Sequence, residues 1–489
     1  MHEQAGLVHR EHGDVRERNR WYGWGSDEQQ QSGKTAGERA ARGQGGKAAG
    51  GGHVIAIRGA DGKRSSFLPS CRPDFLPPSK PSIFAPVTYL PESPVSDATT
   101  PVIVAACRTP IGKYLGGLEA LKAPQLGAIA IREAVRRAGV DAGLIDEVIM
   151  GHVVQGGTGQ APGRQAAIGA GIAGTVPALT INKVCGSGLK AVMLAAQSIK
   201  AGDNACVVAG GQESMSTAPH YVYGMRNGIK AGNQTMVDGM IHDGLWDSFG
   251  NNHMGEYAEY TATKAGISRK DQDEFAYQSH RKAVAAQEAG AFDREIVTVE
   301  IPGRSGPTLV SRDESPRKDT SLEALAKLRP AFVKEGTVTA GNAPGLNDGA
   351  SALVVTSLAF ARTHGLAPLA RITGYATGGG EPRDLFFAPI LAVQNLMKKA
   401  GTTIGAYDLI EANEAFAVQA LANGRALGWD WNRVNVSGGA IALGHPIGAS
   451  GARVLTTLLY GMQARKAKTG LATLCLGGGN AVALSVEVL

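Results

Sequence analysis

Two stretches of this chain, one in each half, run from a short apolar segment of strand type through a glycine-containing turn into a helical pattern. In the first, the turn is Val184-Cys185-Gly186-Ser187-Gly188, and the apolar spacing after it is helical until Gly202. In the second, the 437–451 loop separates a predicted strand, Val434–Val436, from a predicted helix, Ser450–Ala464. A strand–turn–helix unit that occurs twice indicates an α/β fold built from two similar halves.

The alternation of strand and helix extends through both halves. A hairpin of two strands across a glycine turn is expected at the C-terminus. The other predicted strands are Val102–Ala106, Asp146–Gly151, Ala205–Ala209 and Asp408–Glu411, the hairpin pairs Leu471–Cys475 with Ala483–Val488, and further helices are Gln125–Ala138 and Glu414–Leu427. This pattern places the folded part of the chain after about residue 97.

Composition divides the chain into four segments. Residues 1–97 have a Gly/Ala-rich run and a proline cluster without helical periodicity, and are expected to be a disordered or spurious N-terminal extension. Residues 98–214, with 346–366, are predicted to form the N-terminal half. Residues 215–345 are irregular and indicate an inserted loop domain, and residues 367–489 form the C-terminal half.

Composition also excludes several classes of protein. A chain of 489 residues with 43% hydrophobic and 19% charged residues is globular and large enough for two or three units. Its five cysteines form no regular series, which argues against a secreted disulfide framework and favours the cytoplasm. The net charge of +6 is not gathered into a basic stripe, and no apolar run approaches the roughly 18 residues of a membrane span. Neither nucleic acid nor a membrane is therefore an expected partner.

Three glycine-rich segments carry the candidate chemistry. Cys185 opens a predicted helix, His445 stands in Gly444-His445-Pro446, and Cys475 precedes Leu476-Gly477-Gly478-Gly479. A cysteine at a helix start is expected to gain thiolate character from the exposed N–H groups and the helix dipole. Two cysteines and a histidine in such settings indicate thiol chemistry on an acyl group.

Each of these residues also has an ordinary structural interpretation. A cysteine at a strand–helix junction is often only a small core residue, and a histidine in a loop is often only hydrogen-bonded in place. Asn413 is a natural N-cap for the helix predicted from Glu414. Cys107 and Cys206 lie in apolar strand-type runs and are expected to be inert.

Taken together, these segments resemble the thiolase family from about Thr100 to the C-terminus. The matching stretches are residues 108–112, 182–188, 210–216, 253–255, 328–332, 341–343 and 413–416, together with the His445 and Cys475 motifs. The resemblance implies a five-layered αβαβα sandwich of two similar halves with an inserted loop domain, assembled as dimers or tetramers.

The resemblance also implies a role for each reactive residue. Cys185 is the expected nucleophile, His445 its base, and Cys475 the acid–base group of the carbon–carbon step. His445 and a water held by Asn413 would form one oxyanion hole. The N–H groups of Cys185 and Gly477 would form the other. No metal or redox cofactor is implied, and coenzyme A thioesters are the substrates.

A further set of positions matches the family's coenzyme A contacts, most of them in the loop domain. The expected contacts are His253, Met254, Arg317, Leu328, Phe332, Ala340, Pro344 and Ala415. Pro344 stands where the family often has a serine, and Ala481 where it often has a glycine. Phe386 and Phe387 replace a Met/Gly-rich stretch and are expected to narrow the acyl pocket in favour of short chains.

The expected reaction is the condensation of two acetyl-CoA to acetoacetyl-CoA and CoA, with the reverse thiolysis, by a ping-pong Claisen mechanism. The alternative is a degradative 3-ketoacyl-CoA thiolase of fatty-acid β-oxidation, which takes longer chains. The sequence leaves the choice between these two open.

Overall fold

The structure is a computed structural model that describes residues 96–489. The expectation for the N-terminal extension, apart from its last two residues, lies outside the described part of the chain. Within that part, the elements are given below in chain order.

Strands and helices alternate through most of the fold, with mainly helical structure between β9 and β10. The strands β1 to β16 are Pro101–Arg108, Gly112–Lys113, Glu147–Gly151, Ala178–Ile181, Cys206–Ser214, His220–Tyr221, Val237–Asp238, Trp246–Asp247, Asn252–His253, Val299–Ile301, Thr308–Val310, Asn347–Ser357, Ala370–Gly379, Leu409–Ala412, Thr469–Leu476 and Asn480–Glu487. The helices α1 to α11 are Ala123–Ala138, Pro162–Gly169, Ser187–Ala201, Met254–Ala265, Arg269–Glu288, Leu322–Ala326, Leu358–Thr363, Ala388–Ala400, Ala417–Leu427, Ala440–Leu443 and Ile447–Arg465.

One large mixed sheet organises the fold. Its strand order is β14-β15-β16-β13-β1-β12-β5-β3-β4, with β2 added beside β12. Helices α3 and α11 pack against each other and against strands of both halves of this sheet, while α1 with α2 and α8 cover the outer faces. The result is an α/β sandwich of the type expected, with layers in the order α, β, α, β, α. In the part of the chain that the structure describes, no helix is long and apolar enough to cross a membrane.

The central helices meet the sheet in a continuous apolar core. Residues of α3 such as Leu189 and Val192, and of α11 such as Leu455 and Leu458, are fully or almost fully buried in one cluster with residues of β14, β15 and β16. Burial of this apolar surface stabilises the junction between the halves. It therefore fixes the N-terminal ends of α3 and α11 close to the same edge of the sheet.

Most predicted elements have the expected type, and two of them need correction. The helix predicted from Glu414 begins at Ala417 with Phe416 as its N-cap, because residues 413–416 continue in extended or irregular form from β14. The strand predicted over Val434–Val436 is reduced to a single bridge between Ile410 and Val434. The C-terminal hairpin is present, with Cys475 paired to Ala481.

Candidate active site

Cys185 lies in a tight turn between β4 and α3. The residue before it, Val184, has a φ of 47°, a left-handed conformation that a β-branched side chain seldom adopts. Hydrogen bonds hold this turn: Val184 N donates to Asn182 Oδ1 at 2.9 Å, and Lys183 N donates to Ser187 Oγ at 2.8 Å. Strained backbone kept in this way is typical of functional turns, and here it presents the Cys185 side chain at the start of α3.

The Cys185 thiol is held in its neutral form by its surroundings. Burial raises the pKa of Cys185 to about 12, although the N–H of Gly477 and its own N–H both face the sulfur and lower that pKa. Desolvation raises the pKa of Cys185 more than the N–H groups lower it, so the surroundings oppose the thiolate character expected from the helix start. A base is needed to remove this proton.

Gly477 and Cys475 belong to the turn side of the β15–β16 hairpin. Gly478 and Gly479 have φ values of 75° and 80°, which glycine adopts without strain, so the chain reverses within two residues of Gly477. Cys475 is 1% exposed, and burial, followed by the charge of Cys185, raises the pKa of its thiol well above the usual value. Cys475 lies two residues before Gly477, whose N–H faces the Cys185 sulfur, so the two cysteines belong to one site.

His445 precedes α11, and its two ring nitrogens and its backbone N all have hydrogen-bond partners. Its Nδ1 is 2.6 Å from Ser450 Oγ, and its backbone N donates to Asn347 Oδ1 at 2.8 Å. Because Ser450 Oγ gives its only hydrogen to Pro446 O at 2.9 Å, Nδ1 must carry the proton and donate to Oγ. Nε2 is then the free base. Burial, and next the charge of Arg453, lower the pKa of His445 to about 3.

Asn413 completes the polar part of the site. Its Nδ2 is 3.4 Å from His445 Nε2, its Oδ1 is 3.5 Å from Arg453 Nη2, and the residue is 1% exposed. Since α9 begins only at Ala417, the N-cap interpretation of Asn413 does not hold. Its amide is free to face His445.

A cavity of about 680 Å³ opens beside these residues. Its walls include Val184, Met254, Phe249 and Gly477, so it reaches the turn that carries Cys185 and the N–H that faces its sulfur. Cys185, His445, Asn413 and Cys475 do not themselves line this cavity, which reaches the site through the chain neighbour Val184 and through Gly477. A thiol, a neutral imidazole, a second thiol and two N–H groups that face the Cys185 sulfur are the parts needed for acyl transfer between thiols.

Some of the expected coenzyme A contacts form one cluster. His253 caps α4 through its Nδ1, which accepts from Gly255 N at 3.0 Å, and its ring stacks on Phe332 at 4.8 Å between centroids. A side chain at Gly255 would collide with the Phe332 ring, so glycine allows this close approach. Met254 and Phe332 pack against a buried cluster that contains Ala415 and Cys475.

The remaining expected contacts are nearer the surface. Leu328 and Ala340 are exposed, and Pro344 is half-buried. Arg317 is exposed, and only its backbone N has a described hydrogen bond, to His280 Nδ1 at 3.2 Å. None of these four lines the 680 Å³ cavity, so the structure leaves them apart from the wall beside Cys185.

The two phenylalanines expected to narrow the acyl pocket take other positions. Phe386 is 2% exposed and packs edge-on against Phe416 at 5.2 Å, and Phe387 faces the ammonium of Lys264 at 5.1 Å. Neither is on the cavity wall. Phe386 instead belongs to the buried cluster that contains Cys475, and Phe387 packs against that cluster, so the effect of the two rings on acyl-chain length stays a prediction.

Ser450, Arg453 and Phe249 belong to the site but were not singled out from the sequence. Ser450 and Arg453 are polar residues within a stretch of α11 that otherwise has small and apolar side chains. A polar residue in such a stretch is the sequence feature that could have pointed to them. Phe249 is 74% exposed at the tip of the β8–β9 hairpin, and its ring lies against Gly478. Nothing in the local sequence indicates that contact.

Comparisons with known proteins agree with this geometry. The model for the thiolase N-terminal domain matches residues 101–359, and that for the thiolase C-terminal domain matches residues 366–488. A protein of Pseudomonas aeruginosa named acetyl-CoA acetyltransferase is 55% identical over 386 residues, which are 79% of this chain and 98% of the relative. A protein of the same name from Cupriavidus necator is 55% identical over 390 residues, 80% of this chain and 99% of the relative.

A solved structure resembles the chain in fold as well. The crystal structure of the Bacillus anthracis acetyl-CoA acetyltransferase has a TM-score of 0.79 and 42% sequence identity, and the match covers 81% of this chain and 100% of that one. With both family domains matched in order over almost all described residues, this chain belongs to the thiolase family.

Proposed function

We propose that this protein is an acetyl-CoA acetyltransferase that condenses two acetyl-CoA to acetoacetyl-CoA and CoA and catalyses the reverse thiolysis. Relatives at 55% identity over nearly their whole length carry that name. The observation that carries the proposal is that the N–H groups of Gly477 and Cys185 face the Cys185 sulfur, with Cys475 two residues before Gly477 on the same hairpin.

In the first half-reaction, Cys185 takes the acetyl group. His445 Nε2 removes the thiol proton as the sulfur attacks the thioester carbonyl, the Cys185 Sγ–C bond forms, and the bond from that carbon to the CoA sulfur breaks. The proton then passes from His445 to the leaving CoA thiolate. Neutral His445, with Nδ1 committed to Ser450, is in the form that this step requires.

In the second half-reaction, Cys475 first loses its proton to solvent, and the Cys475 thiolate then removes a proton from the methyl group of a second acetyl-CoA. The resulting carbanion forms the new C–C bond with the acetyl carbon, the bond to Cys185 breaks, and Cys475 returns its proton to the Cys185 thiolate. Burial and then the charge of Cys185 raise the pKa of Cys475. Because acetylated Cys185 cannot form a thiolate, the charge of a Cys185 thiolate no longer opposes ionisation of Cys475 once the first half-reaction is complete.

Two sets of donors stabilise the negative oxygens of these steps. The N–H groups of Cys185 and Gly477 serve the acyl oxygen on Cys185. His445, when it also holds a proton on Nε2, and a water held by Asn413 serve the thioester oxygen of the enolate. No metal or redox cofactor takes part, because thiols and fixed donors supply all of the chemistry.

Coenzyme A lies along the loop domain, over residues 215–345, between the N-terminal half at 98–214 with 346–366 and the C-terminal half at 367–489. The stacked pair His253–Phe332 and Met254 support the pantetheine path. Arg317 is exposed and available to a phosphate, and Leu328, Ala340, Pro344 and Ala415 border the same domain.

The active form is a homo-oligomer, a dimer or tetramer. Strand β4 is the last strand of the sheet, and Leu179 on it and Ile168 on α2 are 42% and 47% exposed. An edge strand with exposed apolar neighbours is a natural surface for a second copy. The molar mass in solution, measured by light scattering, checks this point.

The function is tested by thiolysis of acetoacetyl-CoA against a 3-ketoacyl-CoA series from about C8 to C16. We expect turnover of acetoacetyl-CoA with little on the longer chains, and none with Cys185→Ala. Cys206→Ala is the matched control, because it removes a fully buried thiol from β5 at a distance from the site. Equal or faster turnover of the long chains would assign the protein to the degradative class instead.

A further inference from the structure

Helix α11 carries three buried polar side chains on one face. Ser450, Arg453 and Thr457 are spaced at i, i+3 and i+7 and are at most 4% exposed, and Thr456 beside them is buried as well, hydrogen-bonded to Ser351. Ser450 contacts His445, Arg453 contacts Asn413, and Thr457 donates to Glu295 Oε1 at 3.2 Å. These three polar side chains therefore form a row along α11 that begins beside His445 and Asn413 and continues away from them.

Arg453 is poorly satisfied for a buried cation. Within residues 96–489, its Nε and Nη1 have no hydrogen-bond partner, and it has no carboxylate within ion-pair distance. Glu411, Glu295 and Glu414 raise its pKa from a distance, but burial lowers it more. By contrast, the buried Arg108 has Asp313 at 2.7 Å and Glu295 at 2.6 Å. An incompletely paired buried charge is destabilising, so the fold alone gives no reason for an arginine at position 453.

Among the described residues, Asn413 is the side chain with which the Arg453 guanidinium makes a hydrogen bond, at 3.5 Å. Its Nη2 donates to Asn413 Oδ1, and the amide Nδ2 on the other side faces His445 Nε2. If the amide were rotated by 180°, its NH₂ would face the guanidinium, donor against donor. Its oxygen would then face the Nε2 lone pair, acceptor against acceptor. Only one orientation satisfies both neighbours.

We propose that Arg453 is a positioning residue that fixes the Asn413 amide with its Nδ2 donors toward His445 and the reacting thioester. Ser450 sets the tautomer of His445, and Arg453 sets the orientation of the Asn413 amide. Two residues of α11, three positions apart, therefore decide which atoms of His445 and Asn413 donate hydrogen bonds and which accept them. The charge of Arg453 also lowers the pKa of His445, which keeps this base neutral. The inference rests on the proposed roles of His445 and Asn413 in thiolase turnover.

A double-mutant cycle tests whether Arg453 acts through Asn413. Acetoacetyl-CoA thiolysis is measured for the wild type, Arg453→Met, Asn413→Ala and the double variant. We expect Arg453→Met to lower kcat about 10- to 100-fold, because a misdirected donor loses much of its effect on the oxyanion, with KM changed by less than about twofold. In the Asn413→Ala background, the same substitution should change kcat by less than about twofold.

Several results would overturn the inference. An equal loss in both backgrounds would mean that Arg453 acts independently of Asn413, and a kcat within about threefold of the wild type would mean that it does not act at all. Thr457→Val is the matched control on the same face of α11 and should keep kcat within about twofold. If Arg453→Met does not fold, Arg453→Lys replaces it in the cycle, because lysine keeps the charge but lacks the Nη2 that reaches Asn413.

A readout without turnover separates this inference from the proposed function. In a crystal structure of the Arg453 variant, we expect the Asn413 amide to rotate or to take two conformers. An Asn413 side chain unchanged in position and hydrogen bonding would overturn the inference even if the wild type were fully active. Absence of acetoacetyl-CoA turnover by the wild type would instead refute the proposed function, and the crystal structure would still decide the role of Arg453.

Discussion

Replacing Ser450 with alanine should impair catalysis by releasing the tautomer of His445. In the native site, Ser450 Oγ donates to Pro446 O at 2.9 Å and accepts from His445 Nδ1 at 2.6 Å. Ser450→Ala removes this acceptor and leaves Nδ1 without its partner in a fully buried setting. The proton is then no longer held on Nδ1, and Nε2 is no longer reliably the free base.

The size of the effect follows from one hydrogen bond. A neutral hydrogen bond contributes about 1–1.5 kcal/mol, and about 1.36 kcal/mol corresponds to a factor of ten. The ratio of the reactive tautomer of His445 to the other should therefore fall about five- to thirteenfold, and the loss in kcat/KM approaches this factor when the other tautomer becomes the major one. Leaving a buried donor unpaired should also lower the free energy of unfolding by about 1–3 kcal/mol.

Initial rates of acetoacetyl-CoA thiolysis and urea unfolding measure the two effects on the same preparations. Ser198→Ala is the matched control, because Ser198 Oγ also donates to a carbonyl one turn back in its helix, Ala195 O at 3.0 Å, but lies in α3 away from His445. We expect this control to keep the wild-type kcat/KM. If Ser450→Ala kept kcat/KM within about twofold of the wild type, the tautomer argument would be refuted.

Three further predictions concern charge and protonation. Arg108→Met should lower the free energy of unfolding in urea by about 3–5 kcal/mol, because it leaves the buried Glu295 and Asp313 carboxylates without their cation; a loss below about 1 kcal/mol would contradict this account. Burial lowers the pKa of His280 to about 4, so the unfolded chain takes up a proton below about pH 6.5 that the folded protein does not, and stability should decline from about pH 6.5 toward 4. In urea unfolding, this decline in the free energy of unfolding should be smaller for His280→Gln than for the wild type. An equal decline in both proteins would contradict the prediction. Because the pKa of Cys185 is raised to about 12, the rate of its alkylation by iodoacetamide should still increase with pH at about pH 10. Mass spectrometry of the peptide that contains Cys185 measures this rate. A rate that stops increasing near neutral pH would indicate a thiolate in the resting protein and contradict the prediction.

The sequence by itself determined the α/β architecture and pointed to the candidate reactive residues. Alternating apolar segments and glycine turns fix local structure over short distances, which is why α1, α3, β3 and the C-terminal hairpin were predicted with the right type. Cys185, His445 and Cys475 could be found because each stands in a glycine-rich turn of recognisable pattern.

Tertiary structure decided the states and partners of those residues. Burial makes Cys185 a neutral thiol, although its place at a helix start favours the thiolate, because desolvation depends on everything packed around the sulfur. Whether Asn413 capped a helix or faced His445 depended on where α9 begins, three residues after Glu414. The directions of Phe386 and Phe387, and the contacts of Ser450 and Arg453, depend on long-range packing of α8 and α11 against the sheet, which no local pattern encodes.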